Sequence, residues 1–318
     1  NIAVPMPDGV TLVADRYAPA APGPRPAIIM RTPYNRSGGT AIGGIFPWYF
    51  ATYGYNVLLQ DVRGRFASGG EYAPFIHEAE DGAATVAWVL AQPWCDGAVG
   101  MWGASYLGFC QWSAAATAPP GSVKAVAPLM TSAALMRYPE NGFPLDLLAR
   151  WMLQLATMTD PTLPLGERLR RINDAATQDR LLETAFHHLP LVTADEAVIG
   201  HPSPHYRRMA EADRHHPNWQ ATNFAGQVTQ CPPGDFVSGW YDLFLDGLLE
   251  DFVAQQNAGL RPRLTVGPWH HLDLDYMPLS FRSALDWFDT HLRGAPRNTR
   301  RKAVRLYEIG RASCRERV

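Results

Sequence analysis

Three short stretches of the chain carry residue types from which nucleophilic chemistry can be assembled. Gly103-Ala104-Ser105-Tyr106-Leu107-Gly108 lies between an apolar run, Val99 to Trp102, and a helical stretch of small residues, Tyr106 to Ala118. A serine in so tight a strand-to-helix turn is held at backbone angles that side chains disfavour. Small neighbours let the chains pass, and the helix N-terminus turns its positive end to the reacting oxygen. An alcohol at neutral pH needs a base to take its proton, and the base needs an acceptor that fixes its tautomer. In the order serine, carboxylate, histidine, the sequence offers Asp242 in Gly239-Trp240-Tyr241-Asp242 and a histidine pair in Gly267-Pro268-Trp269-His270-His271.

Asp242 is the best-placed acid, because Asp235 reads as preceding its strand and Asp246 and Asp251 fall inside the next helix. Spacing leaves His270 and His271 even, since adjacent side chains on an extended chain point to opposite sides. A tetrahedral oxyanion needs two donors. The Tyr106 backbone N–H comes with the turn, and the second must come from Arg31-Thr32-Pro33-Tyr34. The Tyr34 phenol can donate there, and a tyrosine beside proline reads equally well as a packed turn residue. One feature departs from the familiar pattern, which wants glycine two places after the serine; Leu107 stands there and Gly108 one place later. A tight connection with an incidental serine is therefore the competing reading.

The elements around these residues follow from apolar periodicity. Ile2 to Tyr17 alternates about Pro7-Asp8-Gly9, a hairpin signal. Pro26 to Met30, Tyr55 to Gln60, Val99 to Trp102 and Lys124 to Ala127 read as short buried strands. The amphipathic run Glu78 to Gln92 reads as a crossover helix, so the grammar is βαβ and the sheet parallel. From Thr131 to about Gly226 the alternation gives way to helical patches, including Leu145 to Met158 and Gly166 to Ala175, expected to form an inserted cap. Strand and helix return at Phe236 to Ser238, Phe244 to Gln256, Arg263 to Val266 and Ser280 to Leu292.

Composition narrows the classes of function. With 318 residues, 47% hydrophobic and 18% charged, the chain is a folded globule of one large or two ordinary domains. A formal net charge of -2 supplies no field that would gather nucleic acid. Apolar runs such as Gly43 to Phe50 and Ala125 to Met130 fall far short of the roughly 20 residues a membrane span needs. Cys95, Cys110, Cys231 and Cys314 are too scattered for a disulfide framework or a zinc site, and favour a reducing, cytoplasmic compartment. The start at Asn1, without Met, leaves a removed signal peptide open. His187-His188, His201, His205 and His215-His216 read as structural, and proline between His201 and His205 denies them a shared helix. No metal or organic cofactor is implied.

Taken together, the motifs resemble the serine hydrolases of the cocaine esterase and X-Pro dipeptidyl-peptidase family, which includes α-amino acid ester hydrolases and glutaryl cephalosporin acylases. The resemblance rests on Met6-Pro-Asp-Gly-Val10, Arg31-Thr-Pro-Tyr34, Gln60-Asp-Val-Arg-Gly64, Ser68-Gly-Gly70, Trp94-Cys-Asp-Gly97, Gly103 to Gly108, Gly239-Trp-Tyr-Asp242, Val266-Gly-Pro-Trp-His-His271 and Phe288 to Gly294. It implies an α/β-hydrolase fold and a small ester, amide or short peptide as partner, with a homodimer compatible and neither nucleic acid nor membrane involved. It further implies Ser105 as nucleophile, Asp242 as acid, His271 as base, Tyr34 with Tyr106 as the oxyanion hole, and Trp151 and Phe244 as walls of an acyl pocket. The expected domains are a catalytic one at 1–130 and 227–299 and a helical cap at 131–226. The family's C-terminal jelly-roll would begin at 300–308 and is largely missing. Ile309 onward matches a translated sequencing adapter and is expected to be an artefact.

Three departures stand beside the likeness. Gly234 and Asp235 occupy the apolar start of a family strand, the cap is shorter than in cocaine esterase, and the jelly-roll is missing. The rival readings are a dipeptidyl peptidase or amino-ester hydrolase, with Glu140 and Asp146 as candidate partners of a substrate ammonium, and a non-catalytic binding module on the same fold.

Overall fold

Residues 1–37, 44–135, 143–213, 215–297, 302–309 and 314–317 are described by the structure, a computed structural model. The strands are β1 (Ile2–Pro5), β2 (Thr11–Tyr17), β3 (Arg25–Thr32), β4 (Asn56–Asp61), β5 (Cys95–Ala104), β6 (Ala125–Leu129), β7 (Asp235–Tyr241), β8 (Arg263–His270), β9 (Val304–Ile309) and β10 (Cys314–Arg317). They form one sheet in the order β1-β2-β4-β3-β5-β6-β7-β8-β9-β10. The pairs from β4 through β9 run parallel, while β1–β2, β2–β4 and β9–β10 are antiparallel. The expected hairpin is there, with Pro5 opposite Thr11 about the Asp8-Gly9 turn.

Period-two alternation divides the core between the two faces. On β3, Ala27 and Ile29 join one cluster and Ile28 and Met30 the other, all four buried. The first face packs against α2 (Glu78–Leu90), α3 (Tyr106–Thr117) and α10 (Leu245–Asn257), the second against α1 (Ile45–Thr52) and α11 (Met277–Arg293). On the second face Trp102 stacks on Phe281 at 5.1 Å with Phe46 and Phe50 edge-on. Full burial of such a side chain is worth about 1.5–3 kcal/mol. Gly294, at φ +68°, ends α11 in the left-handed conformation that glycine takes without strain. This mostly parallel sheet, covered by helices on both faces, is the expected α/β-hydrolase architecture.

Two compact units emerge, Asn1–Met136 with Thr222–Val318, and Arg137–Ala221. The second is helical: α4 (Leu145–Thr159), α5 (Leu165–Asn173), α6 (Ala175–Phe186), α7 (Ala194–Ile199), α8 (Pro204–Glu211) and α9 (Pro217–Ala221). Ala149, Leu153 and Leu182 form its own small core, and the Asp174 carboxylate caps α6 by accepting from Thr177 N–H.

Several strands outrun their apolar signatures. Asp235 is the first residue of β7 and does not precede it; its buried carboxylate accepts from Ser283 Oγ on α11. The same strand continues to Tyr241, and β8 continues to His270. Gly239 and Gly267 break the apolar pattern there for a packing reason. An added Cβ would lie 2.0 Å from the Trp269 carbonyl oxygen at one and 2.3 Å from its ring at the other.

Candidate active site

Ser105 sits between β5 and α3 at φ 56° and ψ -121°, a conformation that costs a non-glycine residue about 1–3 kcal/mol. The surroundings hold it there. Its N–H donates to the Leu129 carbonyl at 2.9 Å, and its own carbonyl accepts from Phe109 N–H and Thr131 Oγ1, each at 2.9 Å. The displaced glycine now has a reason. A Cβ on Gly103 would lie 2.4 Å from Leu107 Cβ, and one on Gly108 would lie 2.4 Å from Thr131 Cγ2. Leu107 packs over the glycine before the serine, while Gly108 lets α3 close onto the loop after β6 that holds the Ser105 carbonyl.

Tyr106 is buried to 1% exposure and its phenol donates to Glu78 Oε1 at 2.6 Å while accepting from Phe75 N–H at 3.1 Å. Glu78 also faces Arg31 Nη1 at 2.6 Å, and Arg31 Nε donates to Gln60 Oε1 at 2.8 Å. Asp81 takes Arg63 on both oxygens, at 2.6 and 3.0 Å, and Arg63 reaches Asp8 of the first hairpin at 2.6 Å. Burial disfavours the Arg31 cation, and the Glu78 and Asp81 carboxylates outweigh that and hold its pKa above the ordinary value. Burial, with the Glu78 charge second, pushes the Tyr106 phenol and the Cys110 thiol well up, so both stay neutral. Nothing local in the sequence marks this ionic chain. Glu78 and Asp81 look like ordinary helix-start acids, and the arginines lie far away along the chain.

Asp242 and His271 reach the serine from the ends of β7 and β8. His271 Nε2 stands 3.0 Å from Ser105 Oγ, and His271 Nδ1 stands 2.6 Å from Asp242 Oδ2. The Asp242 side chain is fully buried, its other oxygen accepts from Phe244 N–H at 2.8 Å, and the imidazole is 17% exposed. His270 turns away, its ring stacked on Tyr241 at 4.8 Å and 19°. The pairing of β7 with β8 explains the choice. Gly239 faces Gly267, but Tyr241 faces His270, so β8 carries one extra residue and the side-chain alternation is reset just before the histidines.

Tyr34 lies half-buried in the turn after β3, its N–H donating to Thr32 Oγ1 at 3.0 Å. Because β3 and β5 are parallel neighbours, this turn and Ser105 open at the same edge of the sheet. Phe244 meets the His271 ring edge-on at 5.2 Å. Trp151, on α4 of the helical unit, meets His205 edge-on at 6.0 Å within that unit. Asp146 is paired with Arg150 at 2.6 Å, and Glu140 lies outside the described residues. Among the described residues, no group of three or more His, Cys, Asp or Glu could hold a metal ion.

Comparison with known proteins bears on this geometry. The family described as X-Pro dipeptidyl-peptidase (S15 family) matches residues 8–273. The cocaine esterase of Rhodococcus sp. (strain MB1 Bresler) is 34% identical over 92% of this chain and 55% of that enzyme. Among solved structures, an α-amino acid ester hydrolase superposes with a TM-score of 0.71 at 20% identity, over 99% of this chain and 57% of that one. A CocE/NonD family hydrolase from Staphylococcus aureus gives 0.67 at 19% identity, over 100% and 54%. The chain thus spans about half the length of these relatives.

Proposed function

Given that this chain belongs to the X-Pro dipeptidyl-peptidase (S15) family, we propose that it is a serine hydrolase of carboxylic esters or amides, working through an acyl-enzyme. The observation that carries the reading is the unbroken chain Asp242, His271, Ser105, at 2.6 and 3.0 Å. A carboxylate on Nδ1 keeps the proton there and leaves the Nε2 lone pair facing the serine hydroxyl. His271 takes the Ser105 proton as Oγ bonds to the acyl carbon, and returns it to the leaving alcohol or amine as that bond breaks. Water then repeats the sequence on the acyl-enzyme. Asp242 offsets the imidazolium charge without itself being protonated. The oxyanion is assigned to Tyr106 N–H and Tyr34 O–H. Phe244, against the imidazole, is assigned to the acyl pocket, whereas a role for Trp151 rests on family likeness alone.

A small ester is favoured over a substrate with a free ammonium group. Of the two cap acids that could meet such a group, Asp146 is already engaged with Arg150, which also pairs with Asp179. The test is labelling by a fluorophosphonate, together with turnover of p-nitrophenyl acyl esters beside an X-Pro anilide and an α-amino ester. Wild type labels, releases a burst of nitrophenol and prefers the plain ester, while Ser105→Ala does neither. Equal labelling of that variant, or no labelling of wild type, would leave the non-catalytic module as the better account.

A further inference from the structure

We propose that Asp273 is a positioning residue for His271, an inference that rests on the hydrolase reading above. The base stands on a turn at the rim. Its neighbour Leu272 is 67% exposed and Leu274 is 62% exposed, so neither leucine holds the tip by packing. Closure comes from Asp273. Its carboxylate Oδ2 accepts from His270 N–H at 2.7 Å, and its own N–H donates to the His270 carbonyl at 3.2 Å. A side chain reaching back three residues to a backbone N–H is the reciprocal geometry of a capping box. The two bonds pin the backbone on both sides of His271 and Leu272.

The other end of the turn is fastened to the acid's loop, because His270 stacks on Tyr241 and each of these precedes a member of the proposed triad. Asp273 thus fixes the turn relative to a residue already locked against the Asp242 strand. Its hydrogen bonds go to the His270 backbone and not to a side chain of the proposed triad. Its effect on the reaction runs through the 3.0 Å approach of His271 Nε2 to Ser105 Oγ. Misplacement of a reacting group by about 1 Å can cost on the order of a hundredfold in rate.

The experiment compares wild type with Asp273→Ala, Asp273→Asn and Asp275→Ala, reading kcat and KM on a p-nitrophenyl ester, the rate of fluorophosphonate labelling of Ser105, and the melting midpoint. Asp273→Ala lowers kcat and labelling together by roughly ten- to a hundredfold, with KM and the midpoint little changed. Asp273→Asn keeps an acceptor for His270 N–H and restores most of the rate. Asp275→Ala removes the same charge two residues on and leaves the rates alone. Wild-type rates in Asp273→Ala, or an Asn variant as slow as the Ala variant, would overturn the positioning role while the hydrolase reading stood. An equal loss in Asp275→Ala would overturn it too, by showing a charge effect. A wild-type chain that neither labels nor turns over overturns the hydrolase reading first, and this inference with it.

Discussion

The serine and its two partners are held by opposite kinds of structure. Beneath Ser105 lies a dry ionic chain, Asp81, Arg31, Glu78 and the Tyr106 phenol, every member 2% exposed or less. Around His271 and Asp242 the supports are a ring stack, a turn closed by a carboxylate, and leucines standing in water. The strained backbone of Ser105 needs surroundings that cannot relax, because about 1–3 kcal/mol of strain persists only where neighbours over-determine it. An imidazole has no such strain to contain. It must be aimed, and two short-range contacts on the rim suffice for that. The side beneath the serine is therefore expected to be coupled to global stability more tightly than the rim.

That contrast is easiest to break at its extremes. Asp242→Asn disturbs only the rim: kcat is expected to fall by about ten-thousandfold, roughly 5 kcal/mol of barrier, through the wrong imidazole tautomer. The unfolding midpoint in urea should scarcely move. A large loss of stability would show that the acid also carries the fold.

Glu78→Ala acts on the opposite side. It leaves Arg31 buried without its nearest carboxylate and takes away the Glu78 oxygen that accepts from Tyr106, and removal of one partner of a buried ion pair costs about 3–5 kcal/mol. Urea unfolding should register that loss. A stability change below about 1 kcal/mol would mean the chain beneath the serine is replaceable by water. Gly108→Ala is the mildest probe. Its Cβ would press into Thr131, for about 1–3 kcal/mol of overpacking, with activity falling alongside as the Ser105 carbonyl loses its seat. Full activity and stability together would show that the displaced glycine has no packing role.

Much of the fold was legible from apolar periodicity, since strands buried on both faces carry apolar middles, as Ala27 to Met30 on β3 and Val57 to Leu59 on β4 do. The ends of β7 and β8 were not legible. Asp235 enters the sheet because Ser283 meets it from α11, and Gly239 and Gly267 stay in register because Trp269 fills the space they leave. Ser283 is distant along the chain, and the approach of Trp269 to Gly239 depends on the pairing of β7 with β8. The anchoring role of Glu78 was hidden for the same reason: nothing local separates a helix-start acid from one facing a buried arginine.

From the amino acids alone came the strand-turn-helix around Ser105, the order serine, carboxylate, histidine, and the alternation of sheet and helix that sets all three at one edge. These are local properties of backbone preference and side-chain period. Spacing alone leaves the two adjacent histidines even and the family likeness points to the second; the physical reason that His271 faces the serine lies in the tertiary structure. One extra residue on β8 reverses the alternation and sends His270 to Tyr241 and His271 to Asp242. Strand register is a relation between two segments, so a single line of sequence holds each half of it but not their alignment.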